Sequence, residues 1–168
     1  MNIREFSEND YPRVLEIYSK SKLDELRFEK KTFKLLPLEN DEKRFAALKE
    51  SKIYVFDDGN ILGFGAIFGS EVRALFVCPS ARGNGIGKQI LEFLLSQICG
   101  NANLFVAKTN EPAKELYKAY GFEVSDEFLT EYNSEPLYAN EMVRVNGKCL
   151  QDENKSLVGY SNNLETDV

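Results

Sequence analysis

The sequence predicts one mixed α/β domain, an α+β or α/β fold in which a central sheet carries helices on its faces. Three observations support this. The middle of the chain reads as hairpin strands, followed by an alternation of strand, helix, strand, helix and strand. The 168 residues suit one domain at the usual ~100–200 residues each. A content of 43% hydrophobic and 12% aromatic residues is enough for a core that disordered chains lack.

Asn2–Phe6 opens as a short strand, and Ser7 with Asp10 three residues on forms a variant capping box. The following helix carries Val14, Leu15, Ile17 and Tyr18 at helical spacing, with Pro12 tolerated in its first turn. Ser21–Pro37 is charged and less periodic, and reads as helical pieces. A second helix starts near Asp41 and carries Phe45, Ala46 and Leu48. From Lys52 the pattern turns to strand: Ile53–Phe56, a turn at Asp57-Asp58-Gly59-Asn60, Ile61–Phe68, and then Glu71–Cys78. Ile90, Leu91, Leu94 and Ile98 mark one stripe of a helix ending at Gly100. Leu104–Ala107 is a short buried strand. Asn110-Glu111-Pro112 caps a helix whose stripe is Ala113, Leu116, Tyr117 and Tyr120, and which stops at Gly121. Phe122–Leu129 and Leu137–Val145 are the last strands. The reading is a single domain over residues 1–145 and a polar tail or extension over 146–168.

Lys and Arg number 21 against 27 Asp and Glu, a net charge of -6, so general affinity for nucleic acid or an anionic membrane is not expected. Apolar stretches such as Ala74–Cys78 and Ile90–Leu95 fall far short of the ~20 residues of a membrane span. The first residues lack the basic flank and apolar run of a signal peptide, and the expected location is cytoplasmic. Cys78, Cys99 and Cys149 are too few and too scattered for a disulfide framework or a zinc ligand set, so no metal is expected. The absence of histidine excludes an imidazole general base and Ser–His or Cys–His pairs.

The most informative segment is Val77-Cys78-Pro79-Ser80-Ala81-Arg82-Gly83-Asn84-Gly85-Ile86-Gly87-Lys88, between a strand and a helix. Backbone N–H groups and the helix dipole can hold an anion there, and glycines let the backbone approach phosphate oxygens. Arg82 and Lys88 add local positive charge. A Walker A loop would need Gly at Arg82 and Ser or Thr at Gln89. A dinucleotide fingerprint would need a third glycine at Lys88 or Ile90. The pattern that fits is Arg-x-x-Gly-x-Gly, with Val-x-Pro upstream and an amphipathic helix downstream.

This resembles the pyrophosphate loop of the GNAT superfamily of acetyl-CoA-dependent N-acetyltransferases, with Arg82, Gly85 and Gly87 at the matching positions. A second motif of that superfamily, Asn with Ala three on, Tyr seven on and then Gly-Phe, is matched by Asn110, Ala113, Tyr117, Gly121 and Phe122. The resemblance spans roughly Lys52–Val145. It implies the GNAT fold, a mixed but mostly antiparallel sheet flanked by helices, with acetyl-CoA as cosubstrate in a gap between the Glu71–Cys78 and Leu104–Ala107 strands. Leu75, Phe76 and Val77 would line that gap, and backbone N–H groups near Phe76 and Val77 would receive the thioester carbonyl. Arg82, Gly83, Asn84, Gly85, Ile86, Gly87 and Lys88 would hold the pyrophosphate, and Asn110 and Ala113 would flank the pantetheine arm.

The resemblance further implies direct attack by an amine, which leaves Cys78 as a small buried hydrophobe. Tyr117 holds the position that protonates the departing thiolate in many relatives; its plain alternative is a core aromatic. Glu71 stands where lysine-modifying relatives place a base acting through water; its alternative is a solvated residue after a turn. Asn110 is explained equally by a helix N-cap. The function implied is transfer of acetyl from acetyl-CoA to a primary amine, on a small molecule or on a protein lysine or N-terminus. A non-catalytic acyl-CoA-binding or interaction module is the alternative. The acceptor is not legible, although Ser21–Glu50 and Glu131–Asn140 should bound it, with Asp24, Glu25 and Glu131 as acids that could attract a cationic amine. The expected assembly is a monomer or homodimer.

Overall fold

A computed structural model describes residues 2–145; the tail expected over 146–168 lies outside the described residues. Seven strands form one sheet in the order β1-β2-β3-β4-β5-β7-β6. They are β1 (Ile3–Glu5), β2 (Lys52–Asp57), β3 (Ile61–Phe68), β4 (Glu71–Val77), β5 (Ala102–Ala107), β6 (Phe122–Tyr132) and β7 (Glu135–Arg144). All neighbours are antiparallel except β4 and β5, which run parallel. The expected mixed, mostly antiparallel sheet is what forms.

Helices α1 (Tyr11–Ser21) and α2 (Glu42–Lys49) lie on one face, where Tyr18 of α1 packs on Phe76 at 5.2 Å between ring centroids. Helices α3 (Ile86–Ser96) and α4 (Glu111–Ala119) lie on the other, joined by a hydrogen bond from the Tyr120 hydroxyl to Glu92 (2.8 Å). The expected capping box opens the turn before α1, because the Asp10 carboxylate accepts from the Ser7 N–H (2.8 Å). Asp10 also pairs with Arg4 (2.9 Å), and that guanidinium holds its pKa below the ordinary carboxylate value.

Helix α3 buries Ile86, Ile90, Leu91, Leu94 and Leu95 against the sheet. Its seat is made by a missing side chain: a Cβ at Gly65 on β3 would fall 2.7 Å from both Ile90 and Leu94. That close approach sets the helix against β3 and β4 and aims its N-terminus at the β4 end of the sheet.

Several boundaries move. Helix α3 ends at Ser96 and not at Gly100, although the Ile98 N–H still reaches the Leu95 carbonyl at 3.2 Å. The charged Ser21–Pro37 stretch holds one 3-10 turn, Lys22–Leu26. The largest change is at the last hairpin, where β6 runs to Tyr132 and β7 begins at Glu135. No loop occupies Glu131–Asn140. Asn133 (φ 50°) and Ser134 (φ 67°) make a two-residue turn with both φ positive, which suits the right-handed twist of a hairpin. Without a glycine, the Asn-Ser pair is a weak signal for that turn.

Candidate active site

Strands β4 and β5 pair only at Glu71↔Asn103 and Val72↔Leu104, although each continues well beyond. Past Val72 the two strands splay apart, leaving a gap with the polar backbone of β4 along one side. Which groups face it follows from pairing with β3. The Cys78 N–H donates to Leu62 on β3 (2.8 Å), so strand alternation directs the Phe76 and Ala74 N–H groups to β3 as well. Those of Leu75 and Val77 turn to the open edge. Of the two amides expected to meet a carbonyl, Val77 therefore faces the gap, while Phe76 does not. The Phe76 side chain instead packs between Tyr18 and Phe64 on the α1 face.

At the wide end of the gap lies the turn into α3. Gly83 (φ +85°) and Gly85 (φ +74°) adopt left-handed conformations, and a Cβ on either would meet nothing within 4 Å. The space above them is open, as an oxyanion-rich group requires. Gly85 is the N-cap of α3, so the unpaired N–H groups of the first helical turn point the same way. Asn84 braces the turn from below through Nδ2 to the Ala81 carbonyl (3.1 Å). Ile86 is buried and anchors the helix start, while Gly87 lies against Val77. Lys88 is exposed and has no ion pair among the described residues. Arg82 is already engaged, its guanidinium 2.6 Å from the Asp24 carboxylate. The turn thus fits a pyrophosphate, with Arg82 the one cation that must exchange partners.

Asn110 is 7% exposed at the start of α4, and its side chain makes no cap hydrogen bond. Asn110 thus stands at the N-cap position, as expected, without its side chain serving as a cap. Ala113 and Tyr117 are half-buried along α4, and the Tyr117 ring meets Phe122 at 6.0 Å. Burial raises the Tyr117 pKa above the ordinary tyrosine value, and the Glu25 carboxylate raises it further. The phenol stays protonated throughout the physiological range.

On the α1 face, beside β4, is a cavity of about 260 Å³. Tyr18, Lys22, Arg44, Glu71 and Arg73 supply its polar lining, and Phe64 and Phe76 are among its apolar walls. Glu71, at the start of β4, meets the Arg73 Nε at 3.4 Å. Arg73 is the extra residue of a bulge between Ala66↔Ala74 and Ile67↔Val72, and it also binds Glu50 (2.5 Å). The Tyr18 hydroxyl is the one buried side-chain polar atom without a hydrogen-bond partner among the described residues. Its desolvation raises its pKa strongly. Lys22 and Arg44 stand over the Tyr132 ring at 5.3 and 5.2 Å, and they pair with Glu25 and Asp41.

The two expected catalytic residues do not form a pair: Glu71 touches Arg73 in the cavity, whereas Tyr117 senses Glu25 across the sheet edge. The charge of Glu25 also acts on Tyr18 and Tyr132. Of the acids expected to attract an amine, Asp24 is committed to Arg82 and Glu25 to Lys22. Tyr18 escaped the sequence reading because it lies on the apolar stripe of α1, and no periodicity distinguishes a lining hydroxyl from core. Cys78 is a buried free thiol, yet not a plain hydrophobe. Its hydrogen bond with Ser80 (3.3 Å) lowers its pKa against the opposing effect of burial, with help from Arg13. Among the described residues no cluster suited to a metal occurs, and no helix is long and apolar enough to cross a membrane.

Comparison with known proteins agrees with this geometry. The family model for the acetyltransferase (GNAT) domain matches residues 49–124, from the end of α2 into β6. The chain is 33% identical over 128 residues to the peptidyl-lysine N-acetyltransferase YiaC of Escherichia coli, covering 74% of this chain and 84% of that one. It superposes on the GCN5-related N-acetyltransferase of Rhodopseudomonas palustris with a TM-score of 0.68 at 15% identity, covering 85% and 94% of the two chains. It superposes on yncA of Salmonella typhimurium, solved with acetyl-CoA, with a TM-score of 0.61 at 16% identity, covering 86% and 93%. The splayed strands, the glycine turn and these relatives agree: the chain belongs to the GNAT superfamily and is an acetyltransferase.

Proposed function

We propose that this chain transfers an acetyl group from acetyl-CoA to the ε-amine of a protein lysine by direct attack, without an acyl-enzyme. The observation that carries the reading is the gap between β4 and β5, which opens between an anion-binding turn and a cavity lined by Glu71. The lysine acceptor is suggested by the similarity to YiaC. Acetyl-CoA, whose presence in yncA and fit to the turn support its use here, supplies an activated thioester.

The residues of the chain have separate tasks. The Gly83–Lys88 turn holds the pyrophosphate, with Arg82 released from Asp24, and Asn110 and Ala113 flank the pantetheine arm. The Leu75 and Val77 N–H groups lie along the β4 edge, where negative charge develops on the carbonyl oxygen, and preorganised amides there cost no reorganisation. The arriving lysine is an ammonium and loses two protons in becoming an amide. Glu71 takes one through water, which makes the nitrogen nucleophilic. The other balances the thiolate that leaves, with the protonated Tyr117 phenol as its immediate donor.

The test is release of CoA from acetyl-CoA in the presence of amines: lysine peptides, polyamines, amino acids and aminoglycosides. Lysine peptides should support the highest kcat/KM and gain one acetyl group per CoA released. CoA release independent of every amine would overturn the reading.

A further inference from the structure

We propose that the acceptor lysine lies in an acidic stretch of polypeptide, selected by a basic platform formed by residues 27–34. This rests on the reading of the chain as a lysine acetyltransferase and names the sequence context that such a site prefers.

The chain as a whole carries a charge of -6, yet these eight residues hold Arg27, Lys30, Lys31 and Lys34 against Glu29 alone. All four cations are exposed. Among the described residues Arg27, Lys30 and Lys34 make no ion pair, and Lys31 approaches only Glu135, at 3.6 Å. The one acid, Glu29, is turned away into a hydrogen bond from Thr109. A solvated surface in an acidic protein would ordinarily interleave the two signs.

The platform has a definite place. It is the excursion of the chain between Lys22 and Leu38, both of which line the cavity beside β4. It is also held at its base. Leu26 and Phe33 pack with Tyr132 and Leu137 in a second small core. The Tyr132 hydroxyl accepts from the Leu36 N–H (2.8 Å) and donates to the Leu36 carbonyl (3.2 Å). Asn133 donates to the Lys34 carbonyl at 3.1 Å. The cations are thus carried on a braced segment beside the cavity.

The charges are arranged to match. The cavity cations Lys22, Arg44 and Arg73 are each paired with a carboxylate, Glu25, Asp41 and Glu50, so Glu71, although it also meets Arg73, adds negative charge at the β4 end, and the Tyr18 hydroxyl offers a hydrogen bond that nothing among the described residues satisfies. A lysine side chain entering the cavity meets both. The residues on either side of it remain outside, on the side of the segment that carries the exposed cations, whose field reaches over a Debye length of ~8–10 Å. Aspartates and glutamates there are attracted, and arginines and lysines are repelled. Because the platform charges are exposed, their effect falls on association and selectivity and is screened by salt.

The experiment uses the full chain, acetyl-CoA and N-terminally blocked peptides with one lysine, flanked by aspartate and glutamate, by serine, or by arginine. At low ionic strength the acidic-flanked peptide should exceed the arginine-flanked one in kcat/KM by about tenfold or more, with serine between, and 0.5 M salt should shrink the spread. Lys30→Glu with Lys34→Glu should reverse the order, and Lys30→Gln with Lys34→Gln should flatten it. Both pairs should leave the KM for acetyl-CoA and the Tm unchanged. Equal kcat/KM for the three wild-type peptides overturns the proposal, as does an acidic preference that survives both double variants. Turnover with small amines and none with any peptide instead overturns the lysine reading beneath it, a result distinct from acetylation indifferent to flanks.

Discussion

The side of the site proposed to hold the cofactor and the side proposed to receive the acceptor are built differently. The cofactor side is made of backbone: two left-handed glycines, the first turn of α3 and the unpaired edge of β4, all within Glu71–Lys88. The acceptor side is made of side chains that meet across long stretches of sequence. Tyr132 reaches Leu36 across 96 positions, Asn133 reaches Lys34 across 99, and Arg44 reaches the Glu131 carbonyl across 87. The difference separates what a site must do from what it can vary. Gripping a pyrophosphate needs N–H groups in one fixed geometry, which a short local motif provides. Choosing an acceptor needs shape and charge, which many combinations of distant side chains supply.

The sharpest test of the division is the group that bridges both sides. Tyr117 stands on α4, in the motif implied to flank the cofactor, yet senses Glu25 from the acceptor side. Tyr117→Phe keeps the ring contact with Phe122 and removes the proton donor. Since general acid–base assistance contributes ~10²–10⁴-fold, kcat should fall by about that factor, with cofactor affinity within about tenfold. Steady-state kinetics paired with thermal unfolding decides it: lost stability with normal kcat in the folded fraction would make Tyr117 a packing residue.

A smaller effect is expected at the turn. Gly85→Asp places a carboxylate over the anion site at φ +74°, a conformation that aspartate tolerates better than most residues. Loss of a charge-assisted contact costs ~1.5–3 kcal/mol, so acetyl-CoA affinity by calorimetry should drop at least tenfold. The variant should remain folded, because nothing lies within 4 Å of the new Cβ. Unchanged affinity would remove the turn from the cofactor site.

The smallest effect belongs to the acceptor side. Tyr18→Phe deletes a hydroxyl that has no partner among the described residues, so the folded chain should be unharmed or stabilised by about 1 kcal/mol, as a buried unsatisfied group costs ~1–3 kcal/mol. The acceptor KM should rise severalfold while the acetyl-CoA KM stays constant. Destabilisation on chemical denaturation would mean that the hydroxyl has a partner within the fold, and would detach Tyr18 from acceptor recognition.

Most of the fold was legible in the order of elements, because burial on one face leaves its period in the sequence. The α1 stripe, the β2–β3 hairpin at Gly59 and the α4 stripe all stand where the pattern puts them. The last hairpin was misjudged because its turn is paid for by pairing along β6 and β7, not by turn residues. Asn110 suited an N-cap by residue type, and only the coordinates show its side chain making no cap. Asp24 read as a free acid, and a partner 58 positions away cannot be inferred from spacing.

By itself the sequence determined the family and the glycine-rich turn into α3, since a left-handed turn at a helix start demands glycine within a few positions. Only the tertiary structure decided which amides of β4 face the gap, that Arg82 rests on Asp24, that Tyr18 is left without a partner among the described residues, and that Arg27–Lys34 stands beside the Glu71 cavity. These depend on strand register and on contacts between distant segments. Such contacts are set by the closure of the sheet and the packing of its two faces, and they leave no periodic trace in the chain.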